Sequence, residues 1–264
     1  MLPLIGSVAG IDVGFSKTRR SSAICRVTWT RTSIHWERTR YCARDAERRS
    51  AYRQIVDGHT LQAVAIDGPL RSGFDAIENY RCAERMLTRG FCSIGKPGQS
   101  NSLVGKRLNC EANACAKTII DLAEIEASKH EKSIDQQCVV EAFPSSFLGL
   151  MLRNPEGVSC RRNNRSDVFF KVLVNDGTLS CLVARLLPGR AIEKPFGEIR
   201  NHDDRAAFVC AVTALAVAAN DYCAVGDEDG WILLPPPKFI QPWAWRQLEA
   251  NAQDEIIVAL FSNT

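Results

Sequence analysis

Five acidic residues in this 264-residue chain stand where a carboxylate is costly: Asp12 closes the apolar run VAGI, Asp67 closes LQAVAI, Glu141 closes CVV, and Asp203 with Asp204 precedes the apolar run AAFVCAVTALAVAA. A charge at the end of a buried strand is unfavourable unless something pairs with it. If the strands carrying Asp12, Asp67 and Glu141 are parallel neighbours, the three carboxylates converge on one edge of a sheet, where they repel and raise one another's pKa. A divalent cation relieves that repulsion, and an oxygen-only donor set favours Mg²⁺ or Mn²⁺ over zinc. Two such ions about 4 Å apart bind a phosphodiester, one activating a water and the other stabilising the leaving oxygen. The expected catalytic carboxylates are therefore Asp12, Asp67, Glu141 and Asp203, and the expected metal ligands are Asp12, Asp67, Asp203 and Asp204. Each also has an ordinary structural explanation, because Asp before Gly is common in turns and Asp at a helix start is a common cap.

Donors for a phosphate backbone lie nearby in sequence. Ser16 to Arg20 follows Asp12 closely, so Lys17 and Arg19 are expected on a positive lip. The turn-rich loop GKPGQSNSLVG (95–105) offers Lys96, Gln99 and Asn101, and His202 stands beside the acidic pair, where it can meet a phosphate or orient a water. GIDVGFSKT (10–18) also reads as a phosphate-binding turn, although it lacks the GxxxxGK[ST] spacing of a P-loop.

The elements that must position these groups follow from periodicity. Residues 8–13, 22–30 and 33–39 read as an antiparallel meander of three strands. A helix is expected over 45–56, closing at Gly58, and then a buried strand over 61–67. Further helices are expected over 75–89, on the surface, and over 107–129. A strand ends at Glu141 and a helix begins at Pro144. Residues 166–174 look helical, 201–221 is a buried helix capped by Asn201 or Asp203, DGWILLPPP gives a turn and a short strand, and the tail is a helix with an apolar end. That order describes an α/β fold: one mixed sheet flanked by helices in a single domain over 1–264, with core elements at about 7–70, 136–150 and 200–235 and an inserted helical and loop region at about 72–135.

Composition adds exclusions. Hydrophobic residues at 45% and charged residues at 24% are ordinary globular values, so disorder is not expected. No apolar run has the length of a membrane span and no export signal is visible, so a cytoplasmic protein is expected, with no membrane partner. The eleven cysteines are scattered without CxxC pairs and read as reduced, buried small residues. Net charge is only +3, but Arg19-Arg20, Arg48-Arg49 and Arg161-Arg162 form clusters of the kind that suit a polyanion or a solvated face.

Seven segments in order, AGID (9–12), AIDGPL (65–70), YRCAERML (80–87), KPGQSNS (96–102), EAFPS (141–145), NHDDRAAFVCAVTA (201–214) and DGWILLP (229–235), resemble the family known as domain of unknown function 429, regarded as predicted nucleases with an RNase H-like fold. The resemblance implies a sheet in which the first strand's Asp, a carboxylate on the neighbouring strand and an acidic residue on the closing helix bind two divalent ions. By motif these are Asp12, Asp67 and Asp203, with Glu141 a further candidate. Many relatives carry an Asp-Ala pair further into that helix, where this chain has Ala206 and Ala207. Three readings stay open: a metal-dependent nuclease or phosphodiesterase (a hydrolase) acting on DNA or RNA, a nucleotide-binding phosphotransferase, and a catalytically silent binding module.

Overall fold

The computed structural model describes residues 2–158, 165–255 and 260–262. The first strand β1 (Gly6–Asp12) pairs antiparallel with β2 (Ser22–Trp29), and β2 with β3 (Ser33–Tyr41), which is the expected meander. After helix α1 (Asp45–Val56), strand β4 (Thr60–Asp67) returns to lie parallel to β1 on its other side. Its run LQAVAI is buried from Leu61 to Ile66 apart from the partly exposed Gln62, as a strand covered on both faces requires.

The segment between β4 and the next core strand holds α2 (Cys82–Met86), α3 (Leu103–Leu122) and the two-residue strand β5 (Glu124–Ile125), which pairs with β4. Strand β6 (Val139–Ala142) then runs parallel to β4, and Pro144 opens α4 (Pro144–Leu150). Next come α5 (Arg165–Asn175), α6 (Thr178–Leu186), the short strand β7 (Ala191–Ile192), α7 (His202–Ala218), the hairpin β8 (Cys223–Asp227) and β9 (Gly230–Leu234), α8 (Pro242–Asp254) and β10 (Leu260–Ser262). The sheet order is β10-β8-β9-β6-β4-β1-β2-β3-β7, with parallel pairing at its centre, antiparallel pairing to either side and a short parallel β3–β7 pair at one edge. The architecture is therefore α/β, a mixed sheet flanked by helices. Among the described residues no helix is long and apolar enough to cross a membrane.

Helix α7 lies across β1, β2 and β4 on one face, and its residues from Asp204 to Val217 are all buried. Asn201 caps it by accepting a hydrogen bond from the Asp203 amide at 2.9 Å. Gly10 makes the close approach possible: a Cβ there would stand 2.0 Å from the Ala211 nitrogen and 2.3 Å from the Ala207 oxygen. Gly10→Ala should therefore cost about 3 kcal/mol, the upper end for overpacking. A denaturant midpoint unchanged from wild type would show that α7 is free to lift off the sheet. Helices α1 and α3 cover the opposite face, tied by a Tyr41–Tyr52 hydroxyl contact at 2.9 Å and by Arg48 Nε donating to Thr118 Oγ1 at 3.1 Å.

Several boundaries differ from expectation for identifiable reasons. The surface helix expected over 75–89 is instead an irregular stretch followed by the five-residue α2, because Arg81 and Glu84 turn inward to a buried partner. Helix α3 begins four residues earlier than expected, where the Ser102 hydroxyl accepts from the Gly105 amide, and stops at Leu122 because the chain joins the sheet as β5. The Arg48-Arg49 cluster holds the α1–α3 interface together, pairing with Asp45, Glu111 and Asp121. Arg161-Arg162 lies outside the described residues.

Candidate functional site

Asp12 and Asp67 stand opposite one another in the parallel β1–β4 register, one inter-strand spacing apart, about 4.8 Å by sheet geometry. Paired positions on neighbouring strands point to the same face, so both carboxyl groups share the face on which α7 lies. Each remains partly exposed at the strand end, and neither has a hydrogen bond or ion pair among the described residues. Burial raises the Asp12 pKa well above its ordinary value, and the charges of Asp67, Asp203 and Asp204 raise it further. Burial, followed by repulsion from Glu141, pushes Asp67 up to about 7. Cys210 on α7 feels both groups, and burial holds its thiol protonated and inert.

Glu141 also sits on a parallel neighbour of β4, but one residue out of step: Asp67 pairs with Ala142, and Glu141 pairs with Ile66. In a strand one residue is the difference between faces. Its carboxylate therefore leaves the Asp12–Asp67 face. The Arg81 guanidinium takes both of its oxygens, Nη1 to Oε2 and Nη2 to Oε1 at 2.7 Å each, and the Leu70 amide donates to Oε2 at 2.7 Å. Burial raises the Glu141 pKa, and Arg81 opposes that rise. Arg81 also donates from Nε to Glu84 Oε1 at 3.0 Å and from Nη1 to the Leu70 carbonyl at 3.0 Å, and Glu84 accepts from the Ser100 amide at 3.1 Å. Glu141 was expected to converge with the aspartates; it stands close enough to repel Asp67 and lines a cavity with it, but its oxygens are taken by Arg81 in this buried network.

The α7 acids divide in the same way. Asp204 is buried and held by Arg38, whose Nε donates to Oδ2 at 2.6 Å, with Arg40 3.7 Å from Oδ1. Asp203 is half-buried with no hydrogen bond or ion pair from its carboxylate among the described residues, and burial raises its pKa. His202 is exposed, with Nδ1 3.2 Å from Asp167 Oδ1, so its ring is turned to that carboxylate.

Of the expected phosphate-binding residues, Lys17 and Arg19 are exposed in the loop after β1, and Lys96 and Gln99 are exposed in the 95–105 loop with Asn101 partly covered. The amides of Gly14 and Arg19 already donate to Ser22 Oγ and Ser16 Oγ at 3.0 Å each, so they are spent inside the loop that resembles a phosphate-binding turn. The sequence reading missed Arg38, Arg40 and Arg81. The RTR spacing at 38–40 does carry a signal, since alternate residues of a strand share a face; Arg81 had none beyond its place in YRCAERML.

Among the described residues, no group of three His, Cys, Asp or Glu side chains is placed to hold a metal ion. The donors present do fit Mg²⁺ or Mn²⁺ of the kind held by one or two carboxylates with its remaining sites on water and substrate phosphate, and they do not fit an all-protein cage. Comparison with protein-family models, curated proteins and solved structures finds no match.

Proposed function

We propose that this protein is an RNase H-like nuclease, a hydrolase that depends on Mg²⁺ or Mn²⁺ and cleaves a phosphodiester of DNA or RNA. The observation that carries the reading is the unpaired Asp12–Asp67 couple at the ends of adjacent parallel strands. Ligands of open α/β sheets bind beyond such strand ends. Asp203 on α7 is a third carboxylate near Asp12 with no ion pair among the described residues, although His202 and Arg40 stand close enough to oppose the rise of its pKa, and this agrees with the ligand set implied by the family resemblance. Asp204 and Glu141 are neutralised by arginines, so they fill supporting roles in this reading.

Asp12 and Asp67 would hold the ion, with Asp203 nearby. A divalent cation there supplies an activated water and charge stabilisation at the scissile phosphate. The chain's own contribution is to fix two carboxylates side by side and to present Lys17 and Arg19 on the adjoining loop, where they draw in the phosphate backbone. The test is cleavage of single- and double-stranded DNA and RNA with Mg²⁺, with Mn²⁺ and with chelator. The expected result is cleavage with either ion, none with chelator, and loss in both Asp12→Asn and Asp67→Asn. Cleavage that persists in both variants would end this reading. No cleavage of any substrate, with no ion effect on melting, would leave a binding module.

A further inference from the structure

A cavity of about 320 Å³ opens between the end of β4 and the 97–105 loop, with Asp67 on its lining. The volume is that of a small-ligand site. Its walls are mainly apolar, formed by Val13, Pro69, Pro97, Val104, Leu108 and Phe143. Its charged lining consists of Asp67, Glu84 and Glu141 against a single cation, Arg81. Every N–H of that guanidinium is committed to Glu84, Glu141 or the Leu70 carbonyl, so none is left for an anion. A phosphate is repelled from this interior, whereas a flat uncharged group is suited to it. Polar atoms for its edge are present too: the Gln99 side chain is free among the described residues, and Ser100, 1% exposed, lines the cavity with an Oγ that has no partner.

The surface next along the chain from the lining residues Val13, Val104 and Leu108 has the opposite character. Phe15 is 41% exposed with the Arg107 guanidinium 4.5 Å above its ring, and Leu103 and Val104 on the same turn of α3 are 86% and 57% exposed. Lys17, Arg19 and Arg20 are exposed on the loop that carries Phe15. An aromatic face and exposed aliphatic side chains among cations are what a protein offers to unstacked bases on a charged backbone.

We propose that this cavity receives one unstacked nucleobase of a single-stranded nucleic acid, with the backbone passing outside along the Lys17–Arg20 loop; the proposal rests on the nuclease reading for the nature of the polymer. The strand's neutral, flat part enters the acidic, apolar interior, and its charged part stays on the basic surface of the neighbouring loop. A base stacked and paired in a duplex cannot enter, so the preferred substrate is single-stranded.

The test measures binding without divalent ions, by fluorescence polarisation, of a labelled single strand, its duplex, and a series of the same strand with one abasic residue placed at successive positions. The intact strand should bind wild type about tenfold or more tightly than the duplex and than the strand abasic at the inserted position. Leu108→Trp, which fills the cavity, should cost the intact strand about tenfold and the abasic strand nothing; circular dichroism and melting verify that it folds. Equal wild-type affinity for the intact strand and every abasic strand would overturn the proposal, and that measurement needs no variant. Base-dependent binding without Mg²⁺-dependent cleavage would support the cavity and sink the nuclease reading. Cleavage lost in Asp12→Asn, together with binding indifferent to abasic sites, would do the reverse.

Discussion

Asp67→Asn should give a protein that cleaves 10²- to 10³-fold more slowly, the scale of losing one charge-stabilising group, and that is nevertheless harder to unfold above pH 7. The folded-state pKa of Asp67 is raised from 3.8 to about 7. Between those values the folded protein binds a proton that the unfolded chain has released, so stability falls as pH rises. The loss is complete above pH 7 and amounts to at most about 4 kcal/mol, at 1.36 kcal/mol for each pH unit of that interval. Asparagine has the shape of the protonated acid and no charge, so the variant should lack this fall. Asp12→Asn should move in the same direction, because burial and three neighbouring acids raise that group as well. Denaturant titrations from pH 5 to pH 9 provide the check. Mg²⁺ should raise the wild-type melting temperature at pH 8 and leave both variants unmoved, since the ion takes over the role of the missing proton. A wild type whose stability is flat across that range would show that neither burial nor the neighbouring charge raises Asp67.

Arg81→Met should destabilise the fold by about 3–5 kcal/mol, the range for stripping one partner from a buried ion pair. Arg81 and Glu84 are almost fully buried, as is Glu141, so removing the guanidinium strands two carboxylates in the interior. Lysine should rescue only a fraction, because an ammonium cannot hold both Glu141 oxygens, Glu84 and the Leu70 carbonyl at once. The unfolding free energies of the two variants make the measurement. A cost below about 1 kcal/mol for Arg81→Met would mean that water already reaches the network.

How much of this was legible in the sequence can be argued residue by residue. The run LQAVAID reads as a buried strand because nothing but a two-sided burial tolerates it, and the capped Ala/Val helix after Asn201 reads as buried for the same reason. Those two elements, with VAGID, place Asp12, Asp67 and Asp203, and none of the three carboxylates forms an ion pair among the described residues. Glu141 shows where such reading stops. That its strand ends in an acid is visible in the sequence, but the one-residue offset that turns it to the other face is a property of pairing across about seventy intervening residues. Helix α2 was misplaced because YRCAERML has the spacing of an exposed helix unless one knows that Arg81 and Glu84 have a buried partner. Strand β8 pairs with its hairpin partner β9 and with β10 at one edge of the sheet, and these short strands leave almost no local period.

The contact between Gly10 and the backbone of α7 bears on how the acidic couple stores its repulsion. Two like charges on separate loops would drift apart and spend that energy as motion. Here Asp12 lies two residues beyond a point where strand and helix are locked backbone to backbone, and β4 is hydrogen-bonded alongside. The carboxylates behave like a spring held between fixed plates: their strain persists in the resting protein and is released only by a proton or a cation arriving, so the affinity for either is set by the stiffness of the frame as much as by the groups themselves.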